Sequence, residues 1–209
     1  MNVKPRTPEE IYGPALAKAR QAFPHLEPHE VALRAAVPYE QDTFQVPYFG
    51  MLYQVHWPDG TVERPADPKK VDIATCILLL HYLLTADGAP LAAKWIAFRS
   101  LPGGLGYEGA FQGRANLRLA AAFGGAKAAF ETAARTLGGE RLSFGDASFS
   151  FRLLPRVWLA VVLHLADDEF PASANVLFDA AASHYLPTED LAVLGGILAG
   201  RLVKAASGK

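Results

Sequence analysis

The sequence predicts an α+β fold: a mostly antiparallel sheet, built from an N-terminal hairpin and a C-terminal meander, packed with about five helices. Three observations carry that expectation. Between Thr43 and Glu63 apolar and polar side chains alternate at the period of a half-buried strand. The same alternation returns after Leu142. Around and between these stretches, the apolar residues fall at helical spacing, and the strand-rich parts carry the turn chemistry of hairpins.

In order, Thr7-Pro8-Glu9-Glu10 opens the first helix. Thr7 caps, Pro8 fits the first helical position and Glu10 closes a capping box; the helix runs to about Phe23 and stops at Pro24. Helical composition returns around Val31–Ala36 until Pro38. Phe44 and Val46, then Met51, Tyr53, Val55 and Trp57, mark strands, and Pro58-Asp59-Gly60 turns the chain into a short strand over 61–63. Asp67 is the expected cap of a helix with Pro68 in its first turn, running from Lys69 to Thr85. That helix is apolar nearly all round, which predicts burial on both sides. Trp95–Phe98 reads as a short strand and Leu101–Gly109 as a glycine-rich loop. Helices from Gln112 to Phe123 and from Ala126 to Leu137 are broken by Gly124-Gly125 and closed by Gly138-Gly139. Leu142 and Phe144 lead into Gly145-Asp146, which has the chemistry of a two-residue II′ turn, and Phe149, Phe151 and Leu153 follow on one face. Val157–Ala166 is nearly continuously apolar, as a central strand covered on both faces would be. Ala174–Phe178 is a further strand, and Thr188 the expected cap of a last helix to about Lys204. The organisation expected is a single domain, 1–209, with any subdivision near 87–110.

At 209 residues, 51% of them apolar and 20% charged, the chain can fill a core and does not have the composition of a disordered one. The net charge of -1 supplies no overall field to attract nucleic acid or anionic lipid, so neither nucleic acid nor membrane is expected as a partner. A single cysteine, Cys76, excludes an intrachain disulfide and any cysteine motif for zinc or an iron–sulfur cluster; mid-helix among Ile, Leu and Ala it reads as a buried, inert thiol. MNVKPRTPEE lacks the apolar core of a secretory signal. The runs Ile73–Ala86 and Val157–Ala166 fall short of the roughly 20 residues of a membrane span. A cytoplasmic protein is expected. There is no Gly-x-Ser-x-Gly elbow and no His-Glu-x-x-His, so common hydrolase and zinc-protease readings gain no support.

Several clusters remain as candidate sites. Asp167-Asp168-Glu169, just past the apolar strand, offers oxygen ligands for a divalent cation or an acid–base pair, with Asp179 able to join through the fold. The plainer reading is a solvated turn, because adjacent side chains in extended chain point in alternating directions. His164, inside the apolar strand, is a candidate ligand or acid–base group, or simply a hydrogen-bonded core imidazole; His81 and His184, each followed by Tyr-Leu, carry the same alternatives. Their surroundings echo one another, His81–Asp87 (HYLLTAD) and His184–Asp190 (HYLPTED), but the flanks differ, one segment ending a helix and the other preceding one. The loop Pro102–Gly109 is glycine-rich, with Arg99 beside it and Arg114 in the next helix. It lacks a P-loop's Lys-Ser/Thr ending, and its plainer reading is a tight or mobile loop.

One resemblance spans most of the chain, from about Tyr12 to Leu202. It is carried by Leu78–Leu84 (LLLHYLL), Trp95–Arg99 with Pro102-Gly103-Gly104, Gly145–Ser148, Pro155-Arg156-Val157, Asp168–Pro171, Leu177-Phe178-Asp179 and Tyr185–Leu191. In these motifs and their order the chain resembles the domain of unknown function numbered 3786. The resemblance implies a prokaryotic domain, frequent in anaerobes, some of whose relatives are fused to iron–sulfur modules of the kind met in corrinoid and one-carbon metabolism. This chain has no such module, and the family supplies no catalytic residues to carry over.

Three functions compete. The first is a non-catalytic accessory domain binding an anionic or tetrapyrrole-like ligand, or a partner protein. Arg99, Arg114 and Arg156 would neutralise the ligand's charge, and His81, His164 or His184 would coordinate or hydrogen-bond it. The second is a metal-assisted hydrolase or proton-transfer enzyme using Asp167, Asp168 and Glu169. The third is a structural or oligomerisation domain that self-associates through the apolar stripe Leu191, Leu194, Ile197, Leu198 and Leu202. The first is preferred.

Overall fold

The fold was described from a computed structural model, over residues 7–67 and 69–208. The chain divides into two units. The first runs to Ala89 and also includes His184–Leu186; the second holds Pro90–Ser183 and the chain from Pro187 onward.

In the first unit, α1 (Pro8–Ala22) begins with the predicted capping box: Glu10 N donates to Thr7 Oγ1 at 3.2 Å, and Thr7 N donates to Glu10 Oε2 at 2.7 Å. A 3₁₀ turn, Phe23–His25, leads to α2 (Pro28–Ala35), which ends in left-handed Ala36. Strands β1 (Tyr39–Glu40), β2 (Thr43–Tyr48), β3 (Met51–His56) and β4 (Thr61–Glu63) pair antiparallel in that order. The β2–β3 turn holds Phe49 and Gly50 at φ 49° and 73°, the positive pair whose twist suits a two-residue hairpin. Helix α3 (Ile73–Thr85) packs against α1 and α2. It starts four residues later than the sequence suggested. Asp72, not Asp67, is the cap, accepting from Thr75 N at 2.9 Å and Thr75 Oγ1 at 2.7 Å. Asp67 instead holds a turn, accepting from Lys69 N and pairing with Arg64, and Pro68 lies outside the described residues. As its composition demanded, α3 is buried over most of its length, and Tyr82 O–H donates to Ala35 O at 2.6 Å.

The second unit is built on a five-stranded antiparallel sheet of order β5-β9-β8-β7-β6: β5 (Trp95–Ala97), β6 (Glu140–Leu142), β7 (Ala147–Leu154), β8 (Val157–His164) and β9 (Ser173–Asp179). The hairpin and the meander therefore form separate sheets, and the fold is α+β. On one face of the second sheet lie α4 (Glu108–Phe111), a π-helical turn (Gln112–Asn116) that joins it to α5 (Leu117–Phe123), and α6 (Lys127–Thr136); α7 (Thr188–Ala206) packs against these helices. Phe111 and Phe98 stack 4.2 Å apart beside Phe178 of β9, and Phe130 of α6 meets Phe149 of β7 edge-on. Leu191, Leu194, Leu198 and Leu202 of α7 are buried inside this unit and Ile197 half-buried, so the stripe read as a self-association face serves the core.

At two places the chain departs from the geometry its sequence suggests. Four residues, not two, separate β6 from β7. Gly145 takes a positive φ of 55°, while Asp146 N donates to Leu163 O at 2.9 Å and Asp146 Oδ2 accepts from Leu165 N at 2.8 Å. The turn is fastened to the end of β8 rather than closing its own hairpin tightly. Thr188 is the first residue of α7, not its cap, and its hydroxyl donates to Pro102 O at 2.6 Å.

Candidate functional site

The register of the second sheet decides which side chains share a face. Val162 pairs with Asn175, Ala160 with Leu177 and His164 with Ser173, whereas Val161 with Val176 and Leu159 with Phe178 belong to the helix-covered side. Trp95 pairs with Asp179 and so joins the first set. On that face Ala160, Val162, Ser148 and Ser150 are buried, as the apolar run predicts, but at its edge Trp95, Phe144, Val162, Leu177, His164 and Asn175 line a depression of about 630 Å³. Its walls are apolar and aromatic; its polar groups are one imidazole and one amide.

His164, the last residue of β8, is exposed. Its ring rests against the Phe144-Gly145 turn: a Cβ on Gly145 would stand 3.0 Å from His164 Cε1 and 2.7 Å from Leu163 O. Glycine is required there for both its φ and the close approach. Phe144 is held over the face by its amide, which donates to Ser148 Oγ at 2.9 Å. Asp179 is 3% exposed and accepts from Ala92 N and Ala181 N, each at 2.9 Å. That carboxylate fixes the segment entering β5, and with it Trp95.

His164 also borders a polar notch of about 490 Å³, lined with Asp146, Asp167, Ser173 and Phe170. Asp167 turns its carboxylate onto its own loop, accepting from Phe170 N at 2.7 Å and Glu169 N at 2.9 Å. The Phe170 amide, then that of Glu169, holds the Asp167 carboxyl below the usual carboxylate range. Asp168 and Glu169 are exposed. Asp179 lies six residues along β9 from Ser173, the partner of His164, roughly 20 Å away at strand rise. The carboxylates 167, 168, 169 and 179 thus do not converge. Among the described residues no three His, Cys, Asp or Glu side chains form a cation site.

The other residues singled out by sequence are dispersed. Arg156 sits half-buried in the β7–β8 turn, at the far end of β8 from His164 and roughly 25 Å away. Arg99 is exposed in a 3₁₀ turn and Arg114 exposed on the π turn. The glycine-rich loop is wound on itself: Gly104 N bonds to Leu101 O, Gly106 N to Gly103 O, and Gly104 packs against Phe98 O. In the first unit, His81 lies half-buried on α3, and exposed His184 donates from Nδ1 to Asp87 Oδ2 at 2.5 Å. The echoing segments meet: Tyr82 and Tyr185 stack at 5.7 Å, Thr85 Oγ1 donates to Tyr185 O, and Tyr185 O–H donates to Ala89 O.

Of the residues that line this depression, the sequence singled out His164 as a candidate but not Trp95, Phe144, Asn175 or Leu177. The signal for the last two was the alternation along β9, in which Asn175 and Leu177 share a parity opposite to Val176 and Phe178. Nothing local could have told that Phe144 folds back onto the same face.

A family model described as a domain of unknown function (DUF3786) matches residues 27–201. No curated protein and no solved structure matches the chain. No described helix is long and apolar enough to cross a membrane.

Proposed function

The chain belongs to the DUF3786 family, and from its own residues we propose that it is a non-catalytic binding domain whose seat is the depression between Trp95 and His164 on the five-stranded sheet. The observation that supports this reading is the setting of His164 and Asn175 in one depression with Trp95 and Phe144. A wide aromatic floor with two hydrogen-bonding groups fits a flat, partly apolar ligand such as a heterocycle, stacked on Trp95 and Phe144 and read at its edge by Asn175 and His164. Among the described residues no lysine or arginine lines the depression, and Asp146 and Asp167 flank His164 on the other side. The ligand's polar edge is therefore neutral or cationic. Arg99, Arg114 and Arg156, the expected partners of an anion, take no part.

The test uses two flat dyes of opposite charge, cationic thioflavin T and anionic anilinonaphthalene sulfonate. Trp95→Ala should weaken thioflavin T binding about tenfold, as loss of a central aromatic contact does. The Trp95-dependent component should favour the cation. Binding of the anion in preference, or binding that ignores Trp95→Ala and His164→Ala alike, would discard the reading.

A further inference from the structure

A second concavity lies wholly within the first unit. It has a volume of about 550 Å³ and is lined by Arg20, Arg64, Lys69, Lys70, Glu63 and Asp67, with Cys76 beside them. Between Thr7 and Ala89 the chain carries six lysines and arginines against eleven aspartates and glutamates, so this stretch is acidic. Four of its six cations nevertheless line this one cleft. The two acids in the lining are already engaged. Asp67 accepts from Lys69 N at 3.1 Å and pairs with Arg64, and Glu63 lies 3.5 Å from His56 Nε2. Among the described residues no carboxylate stands within ion-pair distance of Arg20, Lys69 or Lys70.

Arg20 is also aimed. Its Nε donates to Gly60 O at 3.4 Å, and its stem crosses Gly60 so closely that a Cβ there would meet Arg20 Cγ at 3.2 Å and Leu80 Cδ2 at 3.0 Å. The contact holds the guanidinium at the cleft, and Asp59, which feels its charge, accepts from Thr61 N and Oγ1 instead of pairing with it.

We propose that this cleft binds a phosphate-bearing small molecule, with the dianionic phosphate held by Arg20, Lys69 and Lys70. Four cations against two carboxylates leave the lining with a charge that a dianion balances. A guanidinium fork beside two mobile ammonium groups is the donor set that suits phosphate oxygens. The volume falls in the range of small-molecule sites. A long polyanion is disfavoured, because beyond the cleft it would meet the acidic excess of the same stretch. The proposal is independent of the sheet-face site, which lies in the other unit.

Cys76 supplies the reporter, as the chain's sole thiol, 7% exposed and lining the cleft. The experiment follows its alkylation by N-ethylmaleimide, an uncharged reagent whose approach does not depend on the cations. Inorganic pyrophosphate should slow the reaction at least about fivefold in a saturable way, and potassium chloride at the same ionic strength should not. Lys69→Gln/Lys70→Gln, both exposed positions, should abolish protection with the melting temperature unchanged. A second readout avoids the thiol: the ³¹P resonance of pyrophosphate should broaden with the wild-type protein and stay sharp with Arg20→Gln. Equal slowing by chloride, protection that survives the double substitution, or broadening that survives Arg20→Gln would overturn the proposal. None of these variants should alter thioflavin T binding, so this site and the sheet face stand or fall separately.

Discussion

At the scale of single residues, the sheet-face site hangs on Gly145. Alanine there would have to hold a φ of 55° and would crowd Leu163 O and the His164 ring. Gly145→Ala should cost about 2 kcal/mol in urea unfolding, from left-handed strain and the lost approach, and should weaken thioflavin T as His164→Ala does. Asp87 offers a pH test in the first unit. The hydrogen bond from His184, then that from Ala89 N, lowers its carboxyl below the usual range. Because the folded value lies below the unfolded one, the contribution is fully present above the ordinary carboxylate value, roughly 3.9. It is lost as pH falls through the lowered folded value, where the unfolded chain binds the extra proton first. Carboxyl ¹³C titration should place Asp87 below its ordinary value, and His184→Ala should bring it back up. Both side chains are about half exposed, so the effect on melting is small. The sequence showed His184 and Asp87 as parts of two echoing heptads but not that they touch. A contact across 97 residues leaves no local trace.

At the scale of elements, the joined helices α4 and α5 show how much a spacing can say. Phe111, Ala115, Leu119 and Phe123 are all buried and stand four residues apart. In an unbroken α-helix each step of four overshoots a full revolution by roughly 40°, so this stripe would wander off the sheet. The π turn over Gln112–Asn116, with Leu117 N bonded to Gln112 O five residues back, takes up the excess and keeps the stripe on one line. The strict four-residue period is therefore a sign of the π turn in the sequence, though it also passes for an ordinary helix. The same turn carries a polar ladder. Gln112 Nε2 donates to Glu108 Oε1 at 2.6 Å, Asn116 Nδ2 to Gln112 Oε1 at 2.9 Å, and Val176 N of β9 to Asn116 Oδ1 at 2.9 Å. Asn116→Ala strands a buried amide next to Asn175. It should cost about 2 kcal/mol by urea unfolding, whereas Gln112→Ala, at a partly exposed rung, should cost less. The start of α3 is ambiguous in the sequence for a related reason: two aspartates stand at plausible distances, and only the Thr75 hydroxyl, three residues after Asp72, distinguishes the one that caps.

At the scale of the molecule, fold class was legible because period-two and helical stretches are long and separate cleanly. That the hairpin and the meander build separate sheets was not, since alternation reports a strand's faces and not its neighbours. The nearly continuous apolar run of β8 did identify the centre of the second sheet, paired with β7 on one side and β9 on the other. Amide hydrogen exchange should find its slowest amides of that unit in Leu159–Leu163, and fast exchange over 167–172; comparable rates in the two segments would contradict this placement. The basic cleft was hidden for a reason of scale too. A net charge of -1 averages away the nearby Arg64, Lys69 and Lys70, and only the fold brings Arg20 to them. Finally, His184–Leu186 belongs to the first unit although the chain on both sides of it belongs to the second. A ribosome that has released everything up to Ala89 has therefore not yet supplied the whole of that unit. The ring that stacks on Tyr82 and the imidazole that meets Asp87 emerge only after a further stretch of nearly the 97 residues that separate His184 from Asp87, so the first unit cannot be completed before then.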